Sequence, residues 1–246
     1  MDLQTPTRLG KLQRKLYRKA KQEPEFRFYS LFDKVCWRQT LWHAWRCVRQ
    51  NGGAPGVDGV ELEAIESKGS GLWLEQLQEE LREGNYEASP VRRVEIPKPD
   101  GGIRPLGIPT VRDRVVQMAV KLVIEPIFEA DFKDEAHGYR PERSALEAVQ
   151  KVHHHLIEGR RDVVDADLSS YFDTIPHDQL IESVRERVSD GTILALIKMW
   201  LEAPIVDEDD DGTRRIEPSG RQGTPQGGVV SPLLANIYFN RFLKFW

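Results

Sequence analysis

The chain has 246 residues with 39% hydrophobic content, six Trp, six Tyr and nine Phe, enough apolar material for one large domain or two small ones without staples. Its two cysteines, Cys36 and Cys47, exclude a disulfide scaffold and a four-thiolate zinc site. Thirty-five basic against thirty-nine acidic residues give a net charge of -4, but residues 1–50 carry twelve basic and four acidic side chains, a net +8, which points either to an anionic partner or to a solvated basic helix.

The start lacks the apolar stretch of an export signal, and no clean apolar run of about 18–20 residues spans a bilayer. A soluble, cytoplasmic protein is expected. Residues 8–21 set Leu9, Leu12, Leu16 and Tyr17 at helical spacing among basic side chains. Helical patterning continues from Phe26 to Val48, until Asn51-Gly-Gly-Ala-Pro-Gly56 breaks it. A helix is expected over 73–83, then strand-like alternation over 92–96, a tight turn at Asp100-Gly101 and a returning arm over 104–108. Further helices are expected over 113–128, 144–157, 178–188, 192–201 and 231–245, with a strand over 162–168 and an exposed acidic hairpin around 205–216. No internal repeat is visible. The fold class is α+β.

Four features carry candidate chemistry. On a strand, Asp165 and Asp167 share a face opposite Val164, Ala166 and Leu168. Hard carboxylates so placed suit Mg²⁺, unless they are the solvated end of a strand. Ser169-Ser170-Tyr171-Phe172-Asp173 follows at once, its rings either core or ligand-facing. The glycines around Gln226 allow close backbone approach to a ligand, or simply make a turn. Lys98 and Arg104 stand on opposite arms of the first hairpin, either clamping a triphosphate or serving as ordinary surface charge. Two plainer expectations accompany these: His153, His154 and His155 point in different directions and make no metal site, and the acidic run 207–211 is either a cation site or, the plainer reading, a solvated tip.

Six ordered blocks then carry a resemblance: Gly52-Gly-Ala-Pro-Gly-Val-Asp58; Ile96-Pro-Lys-Pro-Asp-Gly-Gly-Ile-Arg104-Pro-Leu-Gly-Ile-Pro109; Asp113-Arg114-Val-Val-Gln117; His137-Gly-Tyr-Arg-Pro-Glu-Arg-Ser144; Asp167-Leu-Ser-Ser-Tyr-Phe172-Asp173-Thr-Ile-Pro-His177; and Gly223-Thr-Pro-Gln226-Gly-Gly-Val-Val-Ser-Pro-Leu-Leu-Ala-Asn236. From about Asn51 to its end the chain resembles bacterial group II intron reverse transcriptases, the intron-encoded maturase type. The resemblance implies a right-hand polymerase in which 1–50 is a basic helical N-terminal extension, 51–160 the fingers and 161–246 part of the palm.

The implied activity is RNA-directed DNA polymerisation by two-metal nucleotidyl transfer. Asp167 would be a catalytic carboxylate and, with the Leu168 carbonyl, a Mg²⁺ ligand. Phe172 would exclude a 2′-hydroxyl, while Lys98, Arg104, Ser169, Ser170, Tyr171 and Gln226 would surround the incoming deoxynucleoside triphosphate. Lys11, Arg14, Lys15, Arg18, Arg112, Arg114 and Arg140 would meet the RNA template, the DNA primer or intron RNA. Asp173, His177 and Arg140 match family positions expected to shape the palm or touch template. The family's Tyr-x-Asp-Asp hairpin does not occur in the sequence. The chain therefore reads as a palm cut before that hairpin, with an incomplete two-metal site, inactive alone, and with apolar surface at Phe242, Phe245 and Trp246 inviting self-association. The alternative is a non-catalytic RNA-binding, maturase-like module or a decayed remnant.

Overall fold

The computed structural model describes residues 4–97, 101–208, 213–225 and 227–245. Helix α1 (Thr7–Gln22) turns Leu9, Leu12, Leu16 and Ala20 inward, the stripe that the leucine spacing predicts. It lies along α6 (Val111–Glu129), the central helix, and is fastened there by Gln13 Nε2 donating to the Leu122 carbonyl at 2.9 Å and Lys21 Nζ to the Ala130 carbonyl at 3.0 Å.

The helical run expected from Phe26 to Val48 is divided. Phe28 makes a β-bridge to Val188, its N–H donating to the Arg187 carbonyl at 2.7 Å. Asp190 Oδ2 accepts from the N–H groups of Leu31 and Phe32 at 2.7 and 2.9 Å. These long-range partners take the backbone groups a continuous helix would use, so only α2 (Phe32–Val35) and α3 (Arg38–Asn51) are helical. Helix α4 (Leu62–Lys68) falls where no element is expected, while α5 (Ser70–Glu83) ends on Gly84 in the left-handed region.

Strands β1 (Val91–Pro97) and β2 (Ile103–Ile108) form the expected hairpin, with Arg93 opposite Gly107 and Val94 opposite Leu106. The second hairpin, β3 (Ile205–Glu208) with β4 (Arg214–Glu217), does not stand alone. It joins the first through a parallel pairing of Val91 with Ile205 and Arg92 with Val206, giving the sheet order β2-β1-β3-β4. Arg93 Nη1 ties the hairpins together by ion pairs to Asp207 at 2.9 Å and Glu217 at 3.1 Å. Asp207 is thus an ion-pair partner on an inner strand of the sheet, in place of the expected solvated tip; residues 209–211 lie outside the described residues.

The remaining helices are α7 (Ala145–Ile157), α8 (Tyr171–Thr174), α9 (His177–Arg185), α10 (Gly191–Leu201) and α11 (Ser231–Phe245). Asp190 caps α10 with Oδ1 while holding 31–32 with Oδ2. Helix α7 opens with a capping box of Ser144 and Glu147, yet buries none of its side chains. At its other end His154 and His155 both turn toward Glu158, at 3.1 and 3.4 Å, and so do not diverge as expected. One hydrophobic core runs from Leu9 through α6 to Ile237. No helix among the described residues is long and apolar enough to cross a membrane.

Candidate active site

The largest departure from the sequence reading is at Asp167. Residues 161–168 form no strand and are exposed throughout, Val164 to 85%. A strand exists only through the neighbour that takes its ladder hydrogen bonds, and the one sheet described stands elsewhere and gives it none. Asp165 and Asp167 are solvated here, and no group of three His, Cys, Asp or Glu among the described residues is arranged to hold a metal ion. The described residues therefore do not fit a two-ion centre.

Order returns at Ser170, whose φ of 50° begins the tight turn into α8. The Ser170 carbonyl accepts from Asp173 N–H at 2.9 Å and Thr174 Oγ1 at 3.1 Å. Tyr171 Oη donates to the Ala235 carbonyl at 2.8 Å, and burial pushes its phenol pKa up, so it stays a donor fixed to α11. Phe172 is half-buried against the core, edge-on to Tyr171 and to Tyr139 with centroids 6.0 Å away in each case.

The segment 172–177 is then zipped to the glycine loop. The N–H of Thr224 donates to the Phe172 carbonyl at 2.7 Å, and that of Gly223 to the Ile175 carbonyl at 2.8 Å. His177 donates from its N–H to the Arg221 carbonyl at 3.0 Å, and its Nε2 lies 2.7 Å from the Gly223 carbonyl. His177 is buried, and its role here is to hold the loop.

The far side of the loop is seated on β2 and α6. At Gly227 (φ 117°) a Cβ would stand 2.4 Å from the Gly107 carbonyl oxygen, so the loop backbone touches β2 where only glycine fits. Val229 N–H donates to Gln117 Oε1 at 2.8 Å, and Ser231 Oγ to the Pro225 carbonyl at 2.9 Å. Gln117 stands in one of the six sequence blocks without an expected role; a polar residue amid the apolar run 115–120 is the signal that points to it.

Between the loop and the hairpin lies a cleft of about 500 Å³, its walls including Arg93, Glu95, Leu106, Gly107, Asp173 and Thr224. Asp173, the glycine loop and the β1–β2 arms thus meet around one opening, and Phe172 adjoins it through its carbonyl, which accepts from Thr224 N–H. Lys98 and Gln226 lie outside the described residues, as does the side chain of Arg104. Ser169 and Leu168 are exposed beside Asp167.

Of the basic residues expected to touch nucleic acid, three are committed internally. Arg114 is buried and donates to the Gly52 and Ala54 carbonyls at 3.2 and 2.8 Å, holding the 52–56 loop. Arg140 is buried too, paired with Glu129 at 2.9 Å and donating to the Lys133 and Ala136 carbonyls at 2.7 Å each. Arg112 pairs with Glu80, donates to the Glu87 carbonyl at 2.8 Å and stacks on Tyr86, 4.6 Å from its centroid. A guanidinium held by several internal acceptors has few donors left for phosphate. Lys11, Arg14, Lys15 and Arg18 differ: all four are exposed along one side of α1, beside Trp37 with Arg8 stacked on it at 4.0 Å.

Comparison with known proteins places this arrangement. The family described as reverse transcriptase (RNA-dependent DNA polymerase) matches residues 96–246. Protein YkfC of Escherichia coli is 40% identical over 243 residues, covering 96% of this chain and 62% of that protein. The group II intron-encoded protein LtrA of Lactococcus lactis is 36% identical over 173 residues, 70% of this chain and 28% of that one. The putative COX1/OXI3 intron 2 protein of Saccharomyces cerevisiae is 35% identical over 190 residues, 77% of this chain and 21% of that one. A solved partial Cas6-RT-Cas1–Cas2 complex shares the fold, with a TM-score of 0.55 at 22% identity over 87% of this chain and 34% of that one. The chain therefore spans less than two thirds of each of these relatives.

Proposed function

Because the chain belongs to the reverse transcriptase family, in its group II intron-encoded branch, we propose that residues 1–246 form the nucleotide-facing and template-facing part of an RNA-directed DNA polymerase. The observation that carries this reading is the convergence of Asp173, the glycine loop and the β1–β2 arms on one cleft, with Phe172 next in the chain and its carbonyl bonded to Thr224 in the cleft wall. Residues 51–160 are read as fingers and 161–246 as part of the palm.

In this reading Phe172 meets the sugar of an incoming deoxynucleoside triphosphate. A ring fixed there rejects a 2′-hydroxyl by bulk, because the half-buried phenyl cannot move aside without breaking its contacts with Tyr171 and Tyr139. Lys98 and Arg104 are assigned to the triphosphate and Gln226 to the pocket wall. Ser169 and Ser170 supply backbone beside it. Tyr171, tied to Ala235, supports the ring next to it instead of contacting nucleotide. The exposed face of α1 is assigned to phosphates of RNA template or intron RNA, with the primer on the palm side.

Reverse transcriptases as a family use divalent ions, and Asp167 is the residue read as the Mg²⁺ ligand, with the Leu168 carbonyl. A lone solvated carboxylate does not fix two cations, so no reaction step is assigned to residues 1–246 by themselves. A second reading, an RNA-binding module without chemistry, is favoured by that isolation of Asp167 and by the free basic face of α1.

The test has two arms. Binding of the 246-residue chain to structured RNA should weaken steeply with salt. Replacing Lys11, Arg14, Lys15 and Arg18 by Ala should flatten the log–log slope by about 0.7–0.9 for each phosphate no longer neutralised. Salt-insensitive binding removes the role given to α1. Primer extension on an RNA template with Mg²⁺ should be absent; robust extension would refute the argument that Asp167 is insufficient.

A further inference from the structure

Tyr139 is one of three non-glycine residues with positive φ among the described residues, with Glu142 and Ser170. Its φ of 58° lies in the left-handed region, where an aromatic side chain is strained and glycine or asparagine is favoured. The residue is nevertheless 63% exposed, so burial of apolar area does not account for a tyrosine there.

The backbone on both sides is pinned. Asn236 Nδ2, from α11, donates to the Gly138 carbonyl at 2.7 Å. Arg140 is locked by Glu129 and by two carbonyls at 2.7 Å. The turn between these anchors has one visible product: the Tyr139 ring stands edge-on against Phe172, centroids 6.0 Å apart and planes at 84°. Tyr171 braces Phe172 from another side at 6.0 Å and 76°, itself fixed through Ala235. Phe172 is therefore held between two rings, one half-buried and hydrogen-bonded, the other exposed and strained.

We infer that Tyr139 is a positioning residue that braces Phe172 and thereby sets how strictly the site distinguishes a deoxyribose from a ribose. This rests on the reading of Phe172 as the ring facing the sugar. A gate ring discriminates only while it cannot rotate aside, and Tyr139 adds a second edge-on contact to the one that Tyr171 makes with Phe172. The strain at residue 139 then belongs to the site and not to the fold.

The experiment measures dissociation constants for dATP and ATP with the 246-residue chain, in wild type, Tyr139→Gly, Tyr139→Phe and Phe172→Ala, with melting temperatures of each. Tyr139→Gly removes the ring while supplying the residue the backbone favours, so its melting temperature should be unchanged or raised. Its ATP-to-dATP ratio of dissociation constants should fall about 2- to 12-fold, the range one edge-to-face aromatic pair supplies. Tyr139→Phe, which keeps the edge contact, should keep the ratio. An unchanged ratio in Tyr139→Gly overturns the inference. So does an equal loss of affinity for both nucleotides, which would mean that the ring stacks on a base. A wild type that binds neither nucleotide, or binds both alike with Phe172→Ala altering nothing, sinks the reading of Phe172 and the inference with it.

Discussion

Replacing Gly227 by alanine tests how the glycine loop is seated. Two costs are separable there. The first is conformational: φ is 117°, a region nearly confined to glycine, and an alanine held in it costs about 1–3 kcal/mol. The second is steric: the new Cβ would sit 2.4 Å from the Gly107 carbonyl oxygen. Carbon and carbonyl oxygen normally rest at about 3.3 Å or more, so the loop or β2 must retreat by about 0.9 Å. Gly107 is paired with Arg93 in the β1–β2 ladder, and Leu106 Cδ1, at 3.2 Å, blocks a sideways escape. Overpacking of this kind adds about 1–3 kcal/mol. The total is about 4 kcal/mol, a fall in Tm of about 8–16 °C for a chain of this size. The control is Gly84→Ala at the C-terminus of α5, with φ of 75° and open space around the added Cβ, where only the conformational cost of about 1 kcal/mol applies. Urea unfolding of the two variants beside wild type measures the difference. If Gly227→Ala costs no more than Gly84→Ala, the loop does not rest on β2 and the cleft is not built as described.

Two further outcomes follow from buried polar groups. Asp190→Ala removes the acceptor for four N–H groups, those of Leu31, Phe32, Thr192 and Ile193, and should lower the unfolding free energy by about 3 kcal/mol; a loss under about 0.5 kcal/mol in denaturant titration would show that residues 28–32 do not depend on it. Burial raises the Cys36 thiol from its ordinary 9.0 to about 11 and pushes Cys47 up as well, leaving a thiolate fraction for Cys36 on the order of 10⁻³ at pH 8. A disulfide reagent should then titrate two thiols at once in the unfolded chain and Cys36 only slowly in the native one, and native labelling of Cys36 within the mixing time refutes this. Since the folded pKa is the higher one, the stability contributed by the protonated thiol is complete below pH 9 and lost as pH rises through about 11.

The elements that could be read in the sequence are those whose signal is local. The stripe Leu9, Leu12, Leu16 and Ala20 needs only helical spacing, and Asp100-Gly101 between two alternating arms needs only turn chemistry. What was misread depends on partners far along the chain. Phe28 leaves a helical pattern because Arg187 and Ser189 offer backbone groups to it, and the two hairpins share a sheet because Val91 and Ile205 meet. Charge misled in the same way: Arg114 and Arg140 stand in motifs and are basic, but position alone does not reveal that Gly52, Ala54 and Glu129 already occupy them.

Asp167 and Phe172 show how far apart two halves of one motif can fall. Both lie in Asp167-Leu-Ser-Ser-Tyr-Phe172, yet Phe172 is fixed by Thr224, Tyr171 and Tyr139 while Asp167, five residues earlier, touches nothing described. The difference is in the kind of support each needs. Phe172 is held by side-on packing and one backbone bond to a loop that the chain itself folds against it. Asp167 needs a neighbouring strand to become a strand residue, and needs further carboxylates or a cation before a buried charge is tolerable. In the proposed reading nucleotide selection and metal-dependent chemistry are therefore separable: sugar discrimination in binding should be measurable on residues 1–246 under conditions where bond formation is not, and equal dissociation constants for dATP and ATP in the wild-type chain would argue against that separation.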